Sequence, residues 1–162
     1  MFRHIFRVLS VLIYVATIPL YFTLSPSFRH QATAAILFSF PGTLTRYALA
    51  MFLTPHLKLF PLGTFVANTG GTAIIGMLHV LQRLPSSPSP TACSILQALM
   101  DGYCGCLTTV STFAVEVGAL QTSSAWIYVG LSWGVSQLLL LVILGPSWWA
   151  GHVSDNHMCS FA

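Results

Sequence analysis

Five apolar stretches, each about the 20 residues needed to cross a hydrocarbon core, take up nearly all of this 162-residue chain. They run from Val8 to Leu24, Ala32 to Leu53, Pro61 to Leu81, Cys93 to Val117 and Ala125 to Leu144. Only 6% of the residues are charged and 55% are hydrophobic, against roughly a quarter charged in soluble domains, and the mean hydropathy is +0.78. Backbone polar groups in lipid must bond within their own segment. The expected fold is therefore an all-α integral membrane protein with no separate soluble domain. The formal charge of +3 is scattered rather than clustered, which gives no support to nucleic-acid binding. No nucleophile, base and orienting group occur together, so an enzyme is not expected.

One stretch does not read as a continuous membrane helix. From Asp101 to Glu116, DGYCGCLTTVSTFAVE, Gly102 and Gly105 precede Thr108, Thr109, Ser111 and Thr112. Glycine adds backbone freedom, and Ser and Thr hydroxyls compete for backbone hydrogen bonds. A break near Gly102 to Thr109 is expected, splitting the fourth span into two half helices. Broken backbone at membrane depth is tolerated where it is buried in protein or lines a cavity. An ion or solute path follows from that.

Elsewhere the residues leave alternatives open. Arg3 and Arg7 precede the first span, which reads as a retained helix more readily than as a cleaved leader because no small-x-small site follows it. Arg46, in PGTLTRY, either attracts anions in a vestibule or reaches the interface from its helix end; Asp101 is its candidate partner. Gly63, Gly70, Gly71 and Gly76 form a face that lets another helix approach closely. Asn68 among them either bonds two helices together or offers donors to a cavity. Tyr128, Ser132 and Ser136 fall at four-residue intervals on one helix face. They line a hydrated path or bond back to their own helix. Cys93, Cys104, Cys106 and Cys159 have neither zinc spacing nor a disulfide pattern, and Cys104 and Cys106 read as small packing residues. The tail with His152 and His157 is polar and reads as disordered. Lys and Arg near the span ends give a weak orientation bias, with Arg3, Arg7 and Lys58 opposed by Arg29 and Arg83.

Taken together, GTLTRY at 42–47, FPLGTFVANTGGT at 60–72 and GYCGCLTTVSTFAVE at 102–116 resemble the Fluc/CrcB family of fluoride channels. The blocks stand in family order, and the third looks particularly like the C-terminal half of the fused, double-domain fungal members. The resemblance implies a four-helix unit with a broken third helix over residues 32–145. Residues 1–31 would resemble an added N-terminal transmembrane helix that connects two halves, and 146–162 a polar tail. It implies an antiparallel dimer, of two chains or two fused halves. Asn68 then matches a pore asparagine and Phe113 the second of two pore phenylalanines; Val110 stands where the first would be. Ser111 and Thr112 match a polar track, Tyr128, Ser132 and Ser136 a hydroxyl row, and Glu116 the acidic position beyond them. The carbonyls of Gly105 and Thr108 match those holding a structural sodium ion.

The implied activity is passive, selective export of fluoride across a membrane, expected to be the plasma membrane, which lowers fluoride toxicity in the cytoplasm. A small, strongly hydrated anion needs hydrogen-bond donors strong enough to replace water and weak enough to release it. Asn68, Ser111, Thr112, Tyr128 and the edge of Phe113 supply donors without a full charge. The alternative is a non-conducting structural half of a two-domain exporter, its pore closed by Val110.

Overall fold

The structure, a computed structural model, describes residues 2–23, 34–56, 60–84 and 89–151. Helix α1 (Phe2–Thr23) is followed by α2 (Ala34–Leu53), which ends in a single 3-10 turn at Thr54–His56, and by α3 (Leu62–Gln82). The next segment is composite. It begins as α4 (Pro90–Ala98), passes through a π-helical turn at Leu99–Cys104 into the short α5 (Gly105–Leu107), and resumes as α6 (Ser111–Ala119). Helix α7 (Thr122–Trp149) closes the bundle. No strand occurs among the described residues.

Helices α2, α3 and α7 are each long and apolar enough to cross a membrane, and Val8–Leu20 of α1 is a shorter apolar helix. The protein is an all-α, multi-pass membrane protein. The fourth apolar span is broken within the expected Gly102 to Thr109 stretch, near its C-terminal end. Gly102 sits inside the π turn and Gly105 inside α5. The chain leaves the helix only at Thr108, which is extended at φ −77°, ψ 149°.

The glycines of the π turn serve packing. A Cβ on Gly102 would collide with the Ala35 carbonyl of α2, and a Cβ on Gly42 of α2 would collide with the Tyr103 carbonyl. Each backbone thus rests directly on the other. In lipid, where apolar side chains gain little by leaving their solvent, such close backbone approach is a main source of helix association. The buried core is correspondingly small-residued: Ala67, Cys93, Ala98 and Cys104 have no exposed surface. Cys104 and Cys106 are free, in line with a packing role, whereas Cys93 is disulfide-bonded, which the spacing of the cysteines did not suggest.

The glycine face of α3 meets three neighbours. Gly63 lies against Ala50 of α2, Gly71 against Thr108 and Gly76 against Leu140 and Ile143 of α7, while Gly70 faces open space. Serine 89 caps α4 by accepting the Ala92 N–H at 3.3 Å, with Pro90 in the first turn where a missing N–H matters least.

Proline 41 inside α2 removes the N–H that the Leu37 carbonyl would receive. Tyr14 of α1 replaces it, its hydroxyl donating to Leu37 O at 3.0 Å while its ring lies 5.2 Å from that of Phe40. That contact seats α1 on the bundle. Most of the remaining α1 surface, including Val8, Leu12 and Val15, is exposed to the apolar medium. Helix α7 runs beyond the expected span end at Leu144 through Pro146 to Trp149, so the start of the expected tail is helical. His152, His157 and the rest of that tail, with Lys58 and Arg29, lie outside the described residues.

Candidate functional site

Two polar constellations are built from α3, the break, α6 and α7. The first surrounds the break. Asn68 of α3 accepts the Thr109 N–H on Oδ1 at 2.8 Å and donates from Nδ2 to the Thr109 carbonyl at 3.1 Å. Thr72, one turn further along α3, donates to the Asn68 carbonyl at 2.8 Å. Thr108 closes the end of α5: its N–H and its Oγ1 both donate to the Cys104 carbonyl, at 2.9 and 3.0 Å. Thr109 Oγ1 and Ser111 Oγ share a hydrogen bond of 3.1 Å. Asn68, Thr72, Ile75, Gly105, Thr108, Thr109 and Val110 line a cavity of about 430 Å³. Asn68 thus ties α3 to the break and also borders a cavity.

The second constellation centres on Glu116 of α6. Thr64 Oγ1 donates to its Oε1 at 2.7 Å and Tyr128 Oη to its Oε2 at 2.9 Å. Thr64 is 3% exposed and Tyr128 fully buried, so both hydroxyls depend on that carboxylate for an acceptor. The Tyr128 ring is 5.0 Å from Phe113, tilted at 40°, and 5.0 Å from Phe60, edge to face at 85°. Phe60 in turn meets Phe65 at 5.3 Å. An aromatic column therefore stands behind the acidic group, held by offset and edge contacts that suit ring quadrupoles.

The hydroxyl row of α7 is present in part. Tyr128 and Ser132 are buried and Ser136 half-buried. The Tyr128 proton is committed to Glu116, so it is not a free donor to an anion as expected from sequence. Ser132 behaves differently: its Oγ is buried without a hydrogen-bond partner among the described residues. Helix α6 buries no residue in the described chain; Ser111 and Thr112 are exposed and Val110 is 80% exposed. Asp101 does not pair with Arg46. It accepts from Gln97 Nε2 at 2.9 Å, and Gln97 accepts from Gln82 at 3.1 Å. Arg46 is half-buried on α2 and makes no ion pair with a described residue.

Sequence reasoning assigned no role to Thr64. The available signal was spacing, because Thr64, Asn68 and Thr72 repeat every four residues on α3 as the hydroxyl row does on α7. Glu116 bridges the two rows, accepting from Thr64 of α3 and Tyr128 of α7, while the Thr109 peptide is held by Asn68 of α3 alone.

The described residues thus form a multi-pass helical bundle with one interrupted helix and neutral donors gathered about the interruption. The family model for CrcB-like protein, Camphor Resistance (CrcB), matches residues 33–146, and the chain belongs to this family. It is 44% identical over 121 residues to fluoride export protein 1 of Neurospora crassa, covering 75% of this chain and 23% of that protein. Fluoride export protein 2 of Saccharomyces cerevisiae is 36% identical over 139 residues, 81% of this chain and 37% of the relative. A fluoride-specific ion channel FluC of Chlorobium chlorochromatii is 32% identical over 117 residues, 69% of this chain and 88% of the relative. The chain thus spans less than two fifths of these fungal relatives and matches most of the bacterial one.

Proposed function

We propose that the chain forms one half of an antiparallel two-fold assembly that lets fluoride leave the cytoplasm down its electrochemical gradient across the plasma membrane. The observation that carries this reading is the tied break at Asn68 and Thr109, polar backbone opened inside an apolar bundle, in a chain of the CrcB family. The names of its relatives supply the ion, fluoride. The unpartnered Ser132 hydroxyl supports it further, as a donor held dry and free to meet an anion.

The second half of the assembly is supported by what the described residues leave uncovered. Val110 is 80% exposed and α6 buries no residue, with the Ser111 and Thr112 side chains exposed beside the break, and hydroxyls facing lipid find no partner there. A second copy, or a second half domain, covers them. Val110 offers no aromatic edge, so the partner has to supply that contact or the path runs on Phe113 alone.

In this arrangement Asn68 keeps one N–H beyond the hydrogen bond to Thr109 and turns it to the anion. Ser132 adds a hydroxyl, Phe113 a ring edge, and Thr112 and Ser136 are further donors along the path. None carries a full positive charge, so the ion is dehydrated by stages and released again. Arg46 raises the local anion concentration near a path entrance. Glu116 orients Tyr128 and through it Phe113.

A structural sodium ion fits the break. The Thr109 N–H that would close on the Gly105 carbonyl in a helix is given to Asn68 instead, and Gly105 and Thr108 border the 430 Å³ cavity. The carbonyls of Gly105 and Thr108 would hold the cation, whose chemistry is a fixed positive charge among oxygen dipoles at the helix crossing.

The reading is tested by growth. Expression in cells that lack their own fluoride exporter is expected to restore growth in fluoride and to lower their internal fluoride, with no change in chloride tolerance. Correctly inserted protein that leaves internal fluoride unchanged would instead establish the non-conducting half.

A further inference from the structure

The pairing between Asn68 and Thr109 is double, and its geometry has a consequence for a third residue. A side-chain amide here occupies both hydrogen-bonding groups flanking one residue, the Thr109 N–H at 2.8 Å and the Thr109 C=O at 3.1 Å. In an unbroken helix the Thr109 N–H would close on the carbonyl of Gly105, four residues back. Thr108 still obeys that rule, its N–H reaching Cys104. The helix therefore ends at the first N–H that Asn68 can take.

The close approach of α3 makes this transfer feasible. A Cβ on Gly71, one turn beyond Asn68, would stand 2.5 Å from Thr108 Cγ2. A glycine at that position lets α3 approach Thr108 this closely without displacing its side chain. Thr72 holds the same turn of α3 by donating to the Asn68 carbonyl.

We propose that Asn68 is the positioning residue of the cation site: by taking the Thr109 N–H it ends the helix and releases the Gly105 carbonyl as a ligand. This rests on the fluoride-channel reading above and deepens it, because one side chain then serves the anion path and the cation site together. The two roles separate chemically. The amide oxygen sets the cation site by accepting from Thr109, and the amide N–H serves the anion.

The test uses the full chain purified in detergent, with thermal midpoints measured in sodium chloride and in potassium chloride at equal ionic strength. The wild-type chain is expected to melt at a higher temperature in sodium. Asn68→Asp keeps an oxygen acceptor for Thr109 and is expected to keep that sodium-specific shift while losing fluoride flux. Asn68→Ala returns the Thr109 N–H to Gly105 and is expected to lose both. A full sodium shift in Asn68→Ala overturns the proposal, as does no shift in the wild-type chain. If Asn68→Ala does not fold, hydrogen exchange at the Thr109 amide decides. Equal, slow exchange in the wild-type chain and Asn68→Asp supports the clamp, and fast exchange in the wild-type chain overturns it. A sodium shift that depends on Asn68 in a chain passing no fluoride removes the function reading alone; fluoride flux without that dependence removes this inference alone.

Discussion

Gly102→Ala is expected to deprive the protein of its folded state. The added methyl would collide with the Ala35 carbonyl, at a crossing where Gly42 is pressed in the same way against the Tyr103 carbonyl. Overpacking usually costs about 1–3 kcal/mol because side chains turn aside. Both collisions here are with backbone, which has no rotamer to change. Relief requires α2 to withdraw from the π turn, and with it goes the packing that holds the broken segment in place. The expected result is loss of the monodisperse protein on size-exclusion chromatography in detergent. Gly130→Ala on α7 is the control, since no described atom beyond its own stretch of helix lies within 4 Å of its Cβ position, and it is expected to behave as wild type. A Gly102→Ala protein of wild-type yield and thermal midpoint would contradict the crossing.

Glu116→Ala is expected to have the second-largest effect, on both stability and flux. Removal of the carboxylate strands two hydroxyls at once, those of Thr64 and Tyr128. A buried polar group left without a partner costs about 1–3 kcal/mol, and Tyr128 has no exposed surface through which water could replace the lost acceptor. Tyr128 then shifts against Phe113, whose ring it supports at 5.0 Å. Fluoride flux is expected to fall about tenfold or more, the kinetic equivalent of ~1.4 kcal/mol. Glu116→Gln keeps one oxygen acceptor and is expected to fall between wild type and Glu116→Ala in thermal midpoint. Equal midpoints for wild type and Glu116→Ala would show that the hydroxyls find other partners.

The spans were legible in the sequence because hydropathy over about 20 residues is a local property. The existence of a break was legible for the same reason, from Gly102, Gly105 and the Thr and Ser that follow. Its position was legible only as a range, Gly102 to Thr109, within which the chain leaves the helix at Thr108. Gly102 reads as a helix breaker in isolation, whereas its role is set by Ala35, which is distant in sequence and adjacent across the crossing. The helix ends at Thr108 because Asn68 captures the next N–H, again from another helix. Asp101 went to Gln97, its own neighbour on the helix, rather than to Arg46. Thr64 gained significance only once Glu116 was brought beside it. Local chemistry thus announced which segments were unusual, and contacts between segments decided what each unusual residue does. Tyr14 shows the same division, since Pro41 marks an orphaned carbonyl locally but not the side chain that fills it.

A fluoride-selective path built on the tied break should conduct in a bilayer holding this chain and no other protein. Its most direct test is fluoride efflux from liposomes containing the purified chain, recorded with a fluoride electrode, with chloride as the control ion and Asn68→Ala as the matched variant. Fluoride efflux without chloride efflux is expected, and it is expected to be lost in Asn68→Ala. Folded, reconstituted protein that releases no fluoride, or releases chloride equally well, would contradict it.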